Sequence, residues 1–293
     1  MTIQFFPVFE NFAARATEID LRQIPSAVQI EQIHAAMNQY GVLVFDGQDL
    51  DDDQQMQFAT QLGPIEDEAA VVDAQLQRLK HRQMIDISNL EVNGSIMAAN
   101  DRRRMFNLGN RLWHSDSSFK TIPALYSMLH ARVVPPEGGE TQFADMRWAW
   151  DRLPAAMQAH IEPMICDHSL IYSRALLGFD EFTPAEKLAF APVSQRLVRR
   201  HAGSLRKSIF LSSHIGQVHG MLRPEAMSLI RELIEQACAP AYVYSHTWQA
   251  HDLVIWDNRC TMHRGRPYDD IRFKRDMRRI TLADSESTLA QTV

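Results

Sequence analysis

Residues 125–139 read LYSMLHARVVPPEGG. The stretch 125–134 is mostly apolar, and the Pro-Pro-Glu-Gly-Gly run that follows is a strong turn pattern, because proline and glycine interrupt regular structure. We therefore predict a buried strand over residues 125–134 that ends in a sharp turn at residues 135–139.

Further strands and helices alternate along the chain on both sides of this stretch. Short apolar runs predict strands at residues 42–45, 84–87, 242–248, 253–256 and 278–282. Apolar periodicity and helix-start and helix-stop residues predict helices at residues 27–40, 52–62, 146–160, 184–190 and 224–238. Interleaved strands with helices around them favour a mainly β fold with peripheral helices, a barrel or a jelly roll. Because no repeat or linker divides the sequence, we expect a single domain over residues 1–293.

Two of the predicted helices begin with recognisable capping residues. Ser26 and Gln29 form a capping-box pair before the helix at 27–40, and Gly41 ends that helix. Asp51-Asp52-Asp53 opens the helix at 52–62. We interpret these aspartates as a helix cap and as partners of the helix dipole rather than as a metal cluster.

Composition and charge exclude several classes of protein. The chain of 293 residues is 45% hydrophobic and has a formal net charge of -6, so it lacks the basic excess expected of a nucleic-acid-binding protein. Its three cysteines are too few and too scattered for a disulfide framework. The apolar runs are too short to cross a bilayer, and the first residues do not resemble a signal peptide. We expect a cytoplasmic protein without a membrane segment.

The stretch RLWHSDSSF, residues 111–119, contains a possible metal site. Side chains two residues apart on an extended strand point to the same face, so His114 and Asp116 could bind one divalent metal together. One more histidine would complete a two-histidine, one-carboxylate triad, which leaves three coordination positions open. The alternative is a polar strand end that contains a histidine by chance.

The third ligand is harder to choose, because the chain has 12 histidines. His263 is the best candidate, since it follows the buried strand at 253–256 and a short polar run. His246 and His251 flank the preceding strand and are its competitors. Cys260 lies three residues before His263, and we interpret it as a small buried thiol rather than as a ligand.

Together these patterns resemble the Fe(II)/2-oxoglutarate-dependent dioxygenases of the taurine dioxygenase group, and within that group the 2,4-dichlorophenoxyacetate dioxygenases. The resemblance covers roughly residues 18–282. It is carried by blocks in the expected order: GVLVFDGQDLDDDQQMQFATQLGPIE, RLWHSDSSF, VVPPEGGETQFADMR, LVRRHAGSLRK, DLVIWDNRCTMHRGRPYD and KRDMRRIT.

The resemblance implies a double-stranded β-helix, which is a jelly roll, and a bound Fe(II). It implies that His114, Asp116 and His263 are the iron ligands. It further implies that Thr141 and Arg275 hold the distal carboxylate of the cosubstrate 2-oxoglutarate. Arginine suits that role because its planar guanidinium matches a carboxylate with two hydrogen bonds.

The resemblance also implies that Asn110 donates a hydrogen bond to the cosubstrate and that Arg279 binds the anionic group of the primary substrate. Arg275 and Arg279 are four residues apart, so on a strand they share one face. The segment before them is one residue longer than the family pattern, with an insertion near residues 269–271. In the alternative register, Lys274 and Arg278 would take the two roles.

The implied reaction uses dioxygen, converts 2-oxoglutarate to succinate and CO2, and hydroxylates the carbon beside the ether oxygen of an aryloxyacetate such as 2,4-dichlorophenoxyacetate, which gives a phenol and glyoxylate. The nearest alternative is the same chemistry on an alkylsulfonate or an aromatic carboxylate. A zinc hydrolase and a non-catalytic jelly-roll binding protein are the alternatives of other classes. The partners are then a small anionic substrate and, by resemblance, further copies of the chain in a homodimer or larger assembly.

Two segments in the middle of the chain are difficult to interpret from their residues. Residues 100–104 are polar and charged and are predicted to form a mobile loop. Residues 66–75 are acidic and apolar, and we expect them to border the substrate entrance.

Overall fold

The computed structural model describes residues 2–66 and 78–291. The strands in these residues are β1 (Gln4–Phe9), β2 (Ala13–Thr17), β3 (Val42–Phe45), β4 (Met84–Ser88), β5 (Ala124–Val133), β6 (Thr141–Asp145), β7 (Ile165–His168), β8 (Val193–Arg196), β9 (Val198–Arg200), β10 (Lys207–Ile209), β11 (Ile215–Val218), β12 (Val243–His246), β13 (Leu253–Asp257), β14 (Thr261–Gly265) and β15 (Asp276–Ala283). The helices are α1 (Ala27–Tyr40), α2 (Asp52–Leu62), α3 (Arg102–Asn107), α4 (Met146–Asp151), α5 (Ala155–Ile161), α6 (Leu170–Ala175), α7 (Pro184–Ala189) and α8 (Arg223–Ala237).

The strands form a large sheet and several small ones. The large sheet has seven strands in the order β1-β2-β3-β13-β5-β15-β4, and a three-stranded sheet has the order β12-β6-β14. All paired neighbours in these two sheets are antiparallel except β2 and β3, which are parallel. Two further small sheets have the strand orders β11-β7-β8 and β10-β9. The predicted mainly β architecture with peripheral helices is confirmed, and the antiparallel crossovers are those of a jelly roll.

The central strands are buried on both faces, as β3 illustrates. Val42 and Val44 pack with Trp256 in the core between the sheets. Leu43 and Phe45 belong to a second core on the outer face of the large sheet, beneath α1 and α2. A strand covered on both faces needs a continuous apolar run, so the sequence VLVF in this position is apolar at every residue.

The two predicted helix caps at the start of the chain are present. The Ser26 side chain accepts a hydrogen bond from the Gln29 backbone N–H, and the Gln29 side chain accepts one from the Ser26 backbone N–H, which is the predicted capping box. Gly41 ends α1 with a φ of 88°, a left-handed conformation that favours glycine. Asp51 caps α2 by accepting from the Gln54 N–H. The interpretation of the aspartates at the start of α2 as capping residues is therefore confirmed.

Two predicted elements have the wrong boundaries. The single helix predicted over residues 146–160 is two helices, α4 and α5, because Pro154 lies between them and cannot donate the backbone hydrogen bond that a continuous helix needs. The strand predicted over residues 242–248 is only β12, since a short 3-10 helix, Pro240–Tyr242, occupies the residues before it.

The prediction of a mobile loop at residues 100–104 is wrong, because this segment starts helix α3. Asp101 caps the helix by accepting from the Arg103 backbone N–H at 2.8 Å. Arg103 also bonds to Glu91 at 2.6 Å, and Arg104 bonds to Asp270 at 2.8 Å. Consecutive charged residues looked solvated in the sequence, whereas each of these two has a carboxylate partner distant along the chain.

Most of the segment predicted to border the substrate entrance lies outside the described residues, which resume at residue 78. Cys166, Cys238 and Cys260 are all free thiols. Among the described residues, no helix combines the length and the apolar character that crossing a membrane requires.

Candidate metal centre

His114 and His263 lie side by side although they are far apart in the sequence. The His114 N–H donates to the His263 carbonyl at 3.0 Å, and the His263 N–H donates to the His114 carbonyl at 2.8 Å. This single antiparallel bridge places both side chains on the same face, with their ring centroids 4.2 Å apart. Both residues are buried, with 5% and 6% of their surface exposed. The predicted pairing of these two histidines is present in the fold.

The competing histidines lie elsewhere. His246 has its Nε2 atom 3.2 Å from Asp252 Oδ2 and its ring packed edge-on against Trp248. His251 lies beside Asp49 at the surface. Among the described residues, His263 is therefore the histidine that joins His114 and Asp116 in one group of possible metal-binding side chains.

Asp116 completes this group, although not from a regular strand as predicted. The chain leaves the bridge at His114 and turns immediately, and Ser117 has a φ of 51°. His114 Nε2 lies 3.7 Å from Asp116 Oδ1, and His263 Nε2 lies 3.6 Å from Asp116 Oδ2. The 3.7 Å between His114 and Asp116 agrees with the prediction that their side chains point to the same side. The expected extended strand is instead a single bridge followed by a turn.

The donor set fits a divalent transition metal. Two ligands that each lie about 2.1 Å from a metal are separated by roughly 3.0 Å at right angles and about 3.6 Å at an angle near 120°. The separations between the Asp116 oxygens and the two Nε2 atoms fall close to this range. Two imidazoles and one carboxylate on one side of a metal leave the opposite positions open for other ligands.

Both histidines are held in the form that binds metals. His114 Nδ1 donates to the Leu112 carbonyl at 2.7 Å, so the Nε2 lone pair faces Asp116 and His263. Burial lowers the pKa of His114 and lowers the pKa of His263 to about 3. Near neutral pH, both imidazoles are therefore uncharged, as metal coordination requires.

Asp116 is supported by three side chains. Arg279 donates to Asp116 Oδ1 at 2.8 Å, and Ser127 Oγ donates to Oδ2 at 2.7 Å. Asn258 accepts the Asp116 backbone N–H at 3.1 Å and donates to Ser127 Oγ at 3.0 Å. Burial raises the pKa of Asp116, but the positive charge of Arg279 outweighs that effect and holds the pKa well below its usual range. The carboxylate is therefore ionised and fixed in place.

A cavity opens beside the two histidines and contains the residues predicted to bind the cosubstrate. Thr141, Asn110 and Arg275 all line it together with His114 and His263. Thr141 is the first residue of β6 and accepts a hydrogen bond from the Trp248 indole N–H at 3.0 Å. The cavity thus brings together the predicted cosubstrate residues.

The double-glycine turn before Thr141 is required by close packing. Gly138 and Gly139 have φ angles of 72° and 73°. A Cβ atom on Gly138 would lie 2.7 Å from the Pro267 carbonyl oxygen, so any larger residue would push the β14–β15 connection away. That connection leads to Arg275, and the turn therefore helps to position Thr141 and Arg275 across one cavity.

Arg275 and Arg279 share one face of the strand, as predicted. Met277 lies between them in the core between the sheets, and Arg279 lines the same cavity as Arg275. Arg278 points to the other face, where it bonds to Asp276. The alternative register with Lys274 and Arg278 therefore does not fit the fold.

Arg275 is held by its backbone and leaves its guanidinium available. Its N–H donates to Asn89 Oδ1 at 2.8 Å. Burial lowers the pKa of the Arg275 guanidinium to about 10, and Tyr268 partly offsets this effect. No carboxylate among the described residues lies within ion-pair distance of the guanidinium, so this cation faces the cavity without a counter-ion from that part of the chain.

A second group of possible metal ligands, His201, Asp257 and Cys260, has its bonds satisfied internally. His201 Nε2 lies 2.9 Å from Asp257, and its Nδ1 accepts the Ser204 backbone N–H at 3.0 Å. Asp257 also accepts from Arg259 at 2.6 Å. Burial raises the pKa of Cys260 to about 12, which keeps it a thiol. The interpretation of Cys260 as a small buried thiol is confirmed.

Three residues near the centre were missed by the sequence analysis: Ser127, Asn258 and His214. Ser127 and Asn258 both hydrogen-bond to Asp116 and to each other. The His214 ring lies edge-on to the rings of His114 at 5.9 Å and Phe119 at 5.0 Å. Nothing in the sequence around these residues indicated such contacts, since a serine inside an apolar strand and a lone histidine are common in cores.

Comparisons with known proteins find similar sequences over nearly the whole chain. The family model described as taurine catabolism dioxygenase TauD, TfdA family, matches residues 4–281. The chain is 43% identical over 284 residues to the alpha-ketoglutarate-dependent 2,4-dichlorophenoxyacetate dioxygenase of Cupriavidus pinatubonensis, which covers 97% of this chain and 99% of that protein. It is 35% identical over 271 residues to the (S)-phenoxypropionate/alpha-ketoglutarate-dioxygenase of Sphingobium herbicidovorans, covering 90% and 89% of the two chains.

A solved structure is similar over the whole chain. The crystal structure of AAD-2 in complex with Mn(II) and N-oxalylglycine has a TM-score of 0.94 and 48% sequence identity, and the match covers 98% of this chain and 100% of that one. The jelly-roll prediction and the resemblance drawn from the sequence are both confirmed by these comparisons.

Proposed function

The chain belongs to the taurine catabolism dioxygenase TauD, TfdA family, and from this membership we propose that it oxidises an aryloxyacetate such as 2,4-dichlorophenoxyacetate. It is an iron(II)- and 2-oxoglutarate-dependent dioxygenase that acts on a small molecule. The substrate proposal is carried by the 43% identity to a 2,4-dichlorophenoxyacetate dioxygenase over nearly the full length of both chains.

We infer that His114, Asp116 and His263 bind the iron. The inference is supported by the neutral imidazoles, the ionised carboxylate and donor separations of 3.6 and 3.7 Å. Iron bound there supplies the redox chemistry by which dioxygen is reduced while 2-oxoglutarate is converted to succinate and CO2 and the primary substrate is hydroxylated. Among the described residues, only these three side chains would hold the iron, which would leave room for the cosubstrate and dioxygen.

We infer that Arg275 and Thr141 hold the distal carboxylate of 2-oxoglutarate, with Asn110 as a further hydrogen-bond donor. Arg275 is a half-buried cation that faces the cavity, and a carboxylate would supply the missing negative charge with two parallel hydrogen bonds. Thr141 already accepts a hydrogen bond from Trp248, so its own hydroxyl hydrogen is available to a ligand oxygen.

We infer that Arg279 binds the carboxylate of the primary substrate. It lies on the same strand face as Arg275, and one of its nitrogens reaches Asp116. A substrate anion on Arg279 would place the neighbouring carbon near the iron ligands, which orients one C–H bond for oxidation. Hydroxylation of that carbon beside the ether oxygen yields a hemiacetal. Its collapse breaks the C–O bond and releases a phenol and glyoxylate.

We propose that residues 1–293 form one domain, because the family model spans residues 4–281 without a break. Free cysteines are compatible with action in the cytoplasm. Family resemblance favours a homodimer or a larger homo-oligomer, which light scattering coupled to gel filtration would test.

The substrate proposal is tested by measuring 2-oxoglutarate-dependent succinate release on a panel of anions. The panel contains 2,4-dichlorophenoxyacetate, taurine, benzoate and a long-chain alkylsulfonate. We expect the aryloxyacetate to have the highest kcat/KM and to yield the corresponding phenol. Turnover of taurine without turnover of any aryloxyacetate would contradict the proposal.

The reaction class is tested separately. Anaerobic addition of Fe(II) and 2-oxoglutarate should produce a weak visible charge-transfer band, and His263→Ala should abolish it. Activity that persists without dioxygen and 2-oxoglutarate would indicate hydrolysis instead.

A further inference from the structure

Arg174 on α6 is a buried arginine that has no carboxylate partner among residues 2–66 and 78–291. Only 5% of its surface is exposed. Its Nη1 donates to Ser173 Oγ at 3.3 Å, while its Nε has no acceptor among the described residues. Its guanidinium lies 4.6 Å from the centroid of the Phe106 ring, a cation–π contact.

Other buried arginines of the chain are paired with acids. Arg147 contacts Asp145 at 2.9 Å, and Arg199 contacts Asp284 at 2.6 Å. A buried charge without an opposite charge is strongly unfavourable, and one aromatic face compensates for only part of the lost hydration. A bound anion would therefore stabilise Arg174 where the described part of the chain provides no acid.

One chain of contacts connects Arg174 to the metal centre. Ser173 Oγ gives its own hydrogen to the Leu170 carbonyl at 2.8 Å, so it accepts from Arg174 and from His214 Nδ1, which lies 2.8 Å away. The His214 ring packs edge-on against the ring of His114. Only one hydroxyl and one imidazole thus separate the guanidinium from an inferred iron ligand.

A second contact connects Arg174 to the residues at the cavity. Its guanidinium packs directly on Gly109, where an added Cβ would lie 2.1 Å from Arg174 Cζ. Gly109 directly precedes Asn110, which lines the cavity. A glycine at this position lets the guanidinium approach the backbone next to the cavity, and any other residue would displace it.

The charges of Arg279 and Asp116 at the metal centre also act on Arg174. Burial lowers the pKa of Arg174 to about 10, the positive charge of Arg279 lowers it further, and the negative charge of Asp116 opposes both effects. Two arginines that repel each other across one site are stabilised together when an anion binds between them.

We propose that Arg174 is a second binding residue for the anionic group of the primary substrate, acting together with Arg279. This inference rests on one part of the proposed function, namely that the primary substrate is an anion. Arg275 and Arg279 both line the cavity, and Arg174 packs on Gly109, which directly precedes the lining residue Asn110. The Phe106 ring lies beside its neighbours Phe179 and Phe182, with ring centroids 5.8 and 6.3 Å apart. These rings provide aromatic surroundings suited to an aryl group attached to that anion.

The test compares a charged substrate with its neutral analogue. The anion is the panel member with the highest kcat/KM, and the analogue is its amide, for example an aryloxyacetamide. In Arg174→Met, we expect kcat/KM for the anion to fall at least about 10-fold, as for loss of a charge-assisted contact. We expect the amide to change less than about 2-fold and the KM for 2-oxoglutarate to stay unchanged. Arg174→Lys should restore part of the preference for the anion.

Two additional variants separate this role from a structural one. Arg152→Met removes an exposed guanidinium that lies 3.6 Å from the Tyr242 ring, and it should leave the anion-to-amide ratio unchanged. Gly109→Ala keeps the charge of Arg174 but displaces the guanidinium, so it should reduce the ratio in the same direction as Arg174→Met. If Arg174→Met does not fold, as judged by circular dichroism and Tm, Arg174→Lys and Gly109→Ala decide the question.

The inference is overturned if the Arg174 and Gly109 variants lose anion and amide turnover equally, if only the KM for 2-oxoglutarate rises, or if the wild type does not prefer any anion over its neutral analogue. A best substrate that is not an aryloxyacetate would end the substrate proposal alone. The role of Arg174 would then be decided on that other anion.

Discussion

Arg279 donates a hydrogen bond from Nη1 to Asp116 Oδ1 at 2.8 Å, although 163 residues separate them in the sequence. The arginine inferred to bind the substrate anion therefore also supports the carboxylate inferred to bind iron. The two inferred roles, substrate binding and support of a metal ligand, thus share one guanidinium, and a change at Arg279 should affect both.

Replacing Arg279 with glutamine should weaken metal binding and substrate turnover together. Removal of a residue that hydrogen-bonds a metal ligand lowers metal affinity by about 10-fold to 100-fold. Loss of a charge-assisted contact to the substrate should lower its kcat/KM by a similar or larger factor. Anaerobic Fe(II) titration, followed through the charge-transfer band with 2-oxoglutarate, measures the first effect, and succinate release measures the second.

Ser127→Ala is the matched control for Arg279→Gln. It removes the hydrogen bond to the other oxygen of Asp116, at 2.7 Å, without removing a positive charge. We expect weaker Fe(II) binding and an unchanged substrate KM at saturating iron. Normal Fe(II) affinity in both variants would contradict the shared role of Arg279.

Replacing Arg275 with glutamine should raise the KM for 2-oxoglutarate and leave the KM for the primary substrate nearly unchanged. A charge-assisted hydrogen bond contributes about 1.5–3 kcal/mol, which corresponds to a rise of roughly 10-fold to 100-fold. Lys274→Gln removes the exposed neighbouring cation and serves as the control. A larger effect in Lys274→Gln than in Arg275→Gln would support the other register of the strand.

The features that were predicted correctly depend on short-range patterns. The Ser26–Gln29 capping box and the apolar strand at Val42–Phe45 are encoded within a few residues, and propensity and periodicity reveal them. The sequence analysis proposed His114, Asp116 and His263 as metal ligands because the His-x-Asp pair and His263 belong to blocks that recur in one family. Neither route depends on knowledge of tertiary contacts.

The features that were missed depend on contacts between distant residues. Asn258 bonds to the backbone of Asp116, which lies 142 residues earlier, and no local pattern encodes that distance. The run of charges at the start of α3 looked like a loop because its partner Asp270 lies 166 residues beyond Arg104. Arg174 was missed for the same reason, since its isolation from acids becomes visible only in the folded chain.

Arg147→Met should strongly destabilise the fold without a direct effect on the site. Arg147 is fully buried, pairs with Asp145 at 2.9 Å and also donates to the carbonyls of Asn38 and Tyr40. Removing it leaves the buried Asp145 carboxylate unpaired, which costs about 3–5 kcal/mol of unfolding free energy. Urea denaturation at neutral pH measures this difference.

The control for Arg147→Met is Arg206→Met. Arg206 pairs with Asp151 at 2.6 Å, but the two side chains are 33% and 53% exposed, so the expected loss is about 0–1 kcal/mol. Equal losses in the two variants would contradict the importance assigned to the buried pair.

His168 on β7 should make the fold sensitive to acid. The residue is fully buried, neither ring nitrogen has a partner among the described residues, and the ring stacks on Phe210 with centroids 5.5 Å apart. Burial lowers the pKa of His168 from 6.5 to about 3. Between these two pH values the unfolded chain binds more protons than the folded chain at this residue, so stability falls as the pH decreases from about 6.5 towards 3.

His168→Phe should reduce this sensitivity while keeping the stacked ring. At pH 5, protonation of His168 in the unfolded chain lowers the stability of the fold by about 2 kcal/mol relative to pH 7.5. The wild type should therefore lose about 2 kcal/mol more unfolding free energy than the variant between pH 7.5 and pH 5, as measured by urea denaturation. A chelator in both samples excludes proton-driven metal release, and other buried histidines such as His130 contribute equally to both proteins. An identical pH dependence in the two proteins would show that His168 gains a proton partner in the folded state.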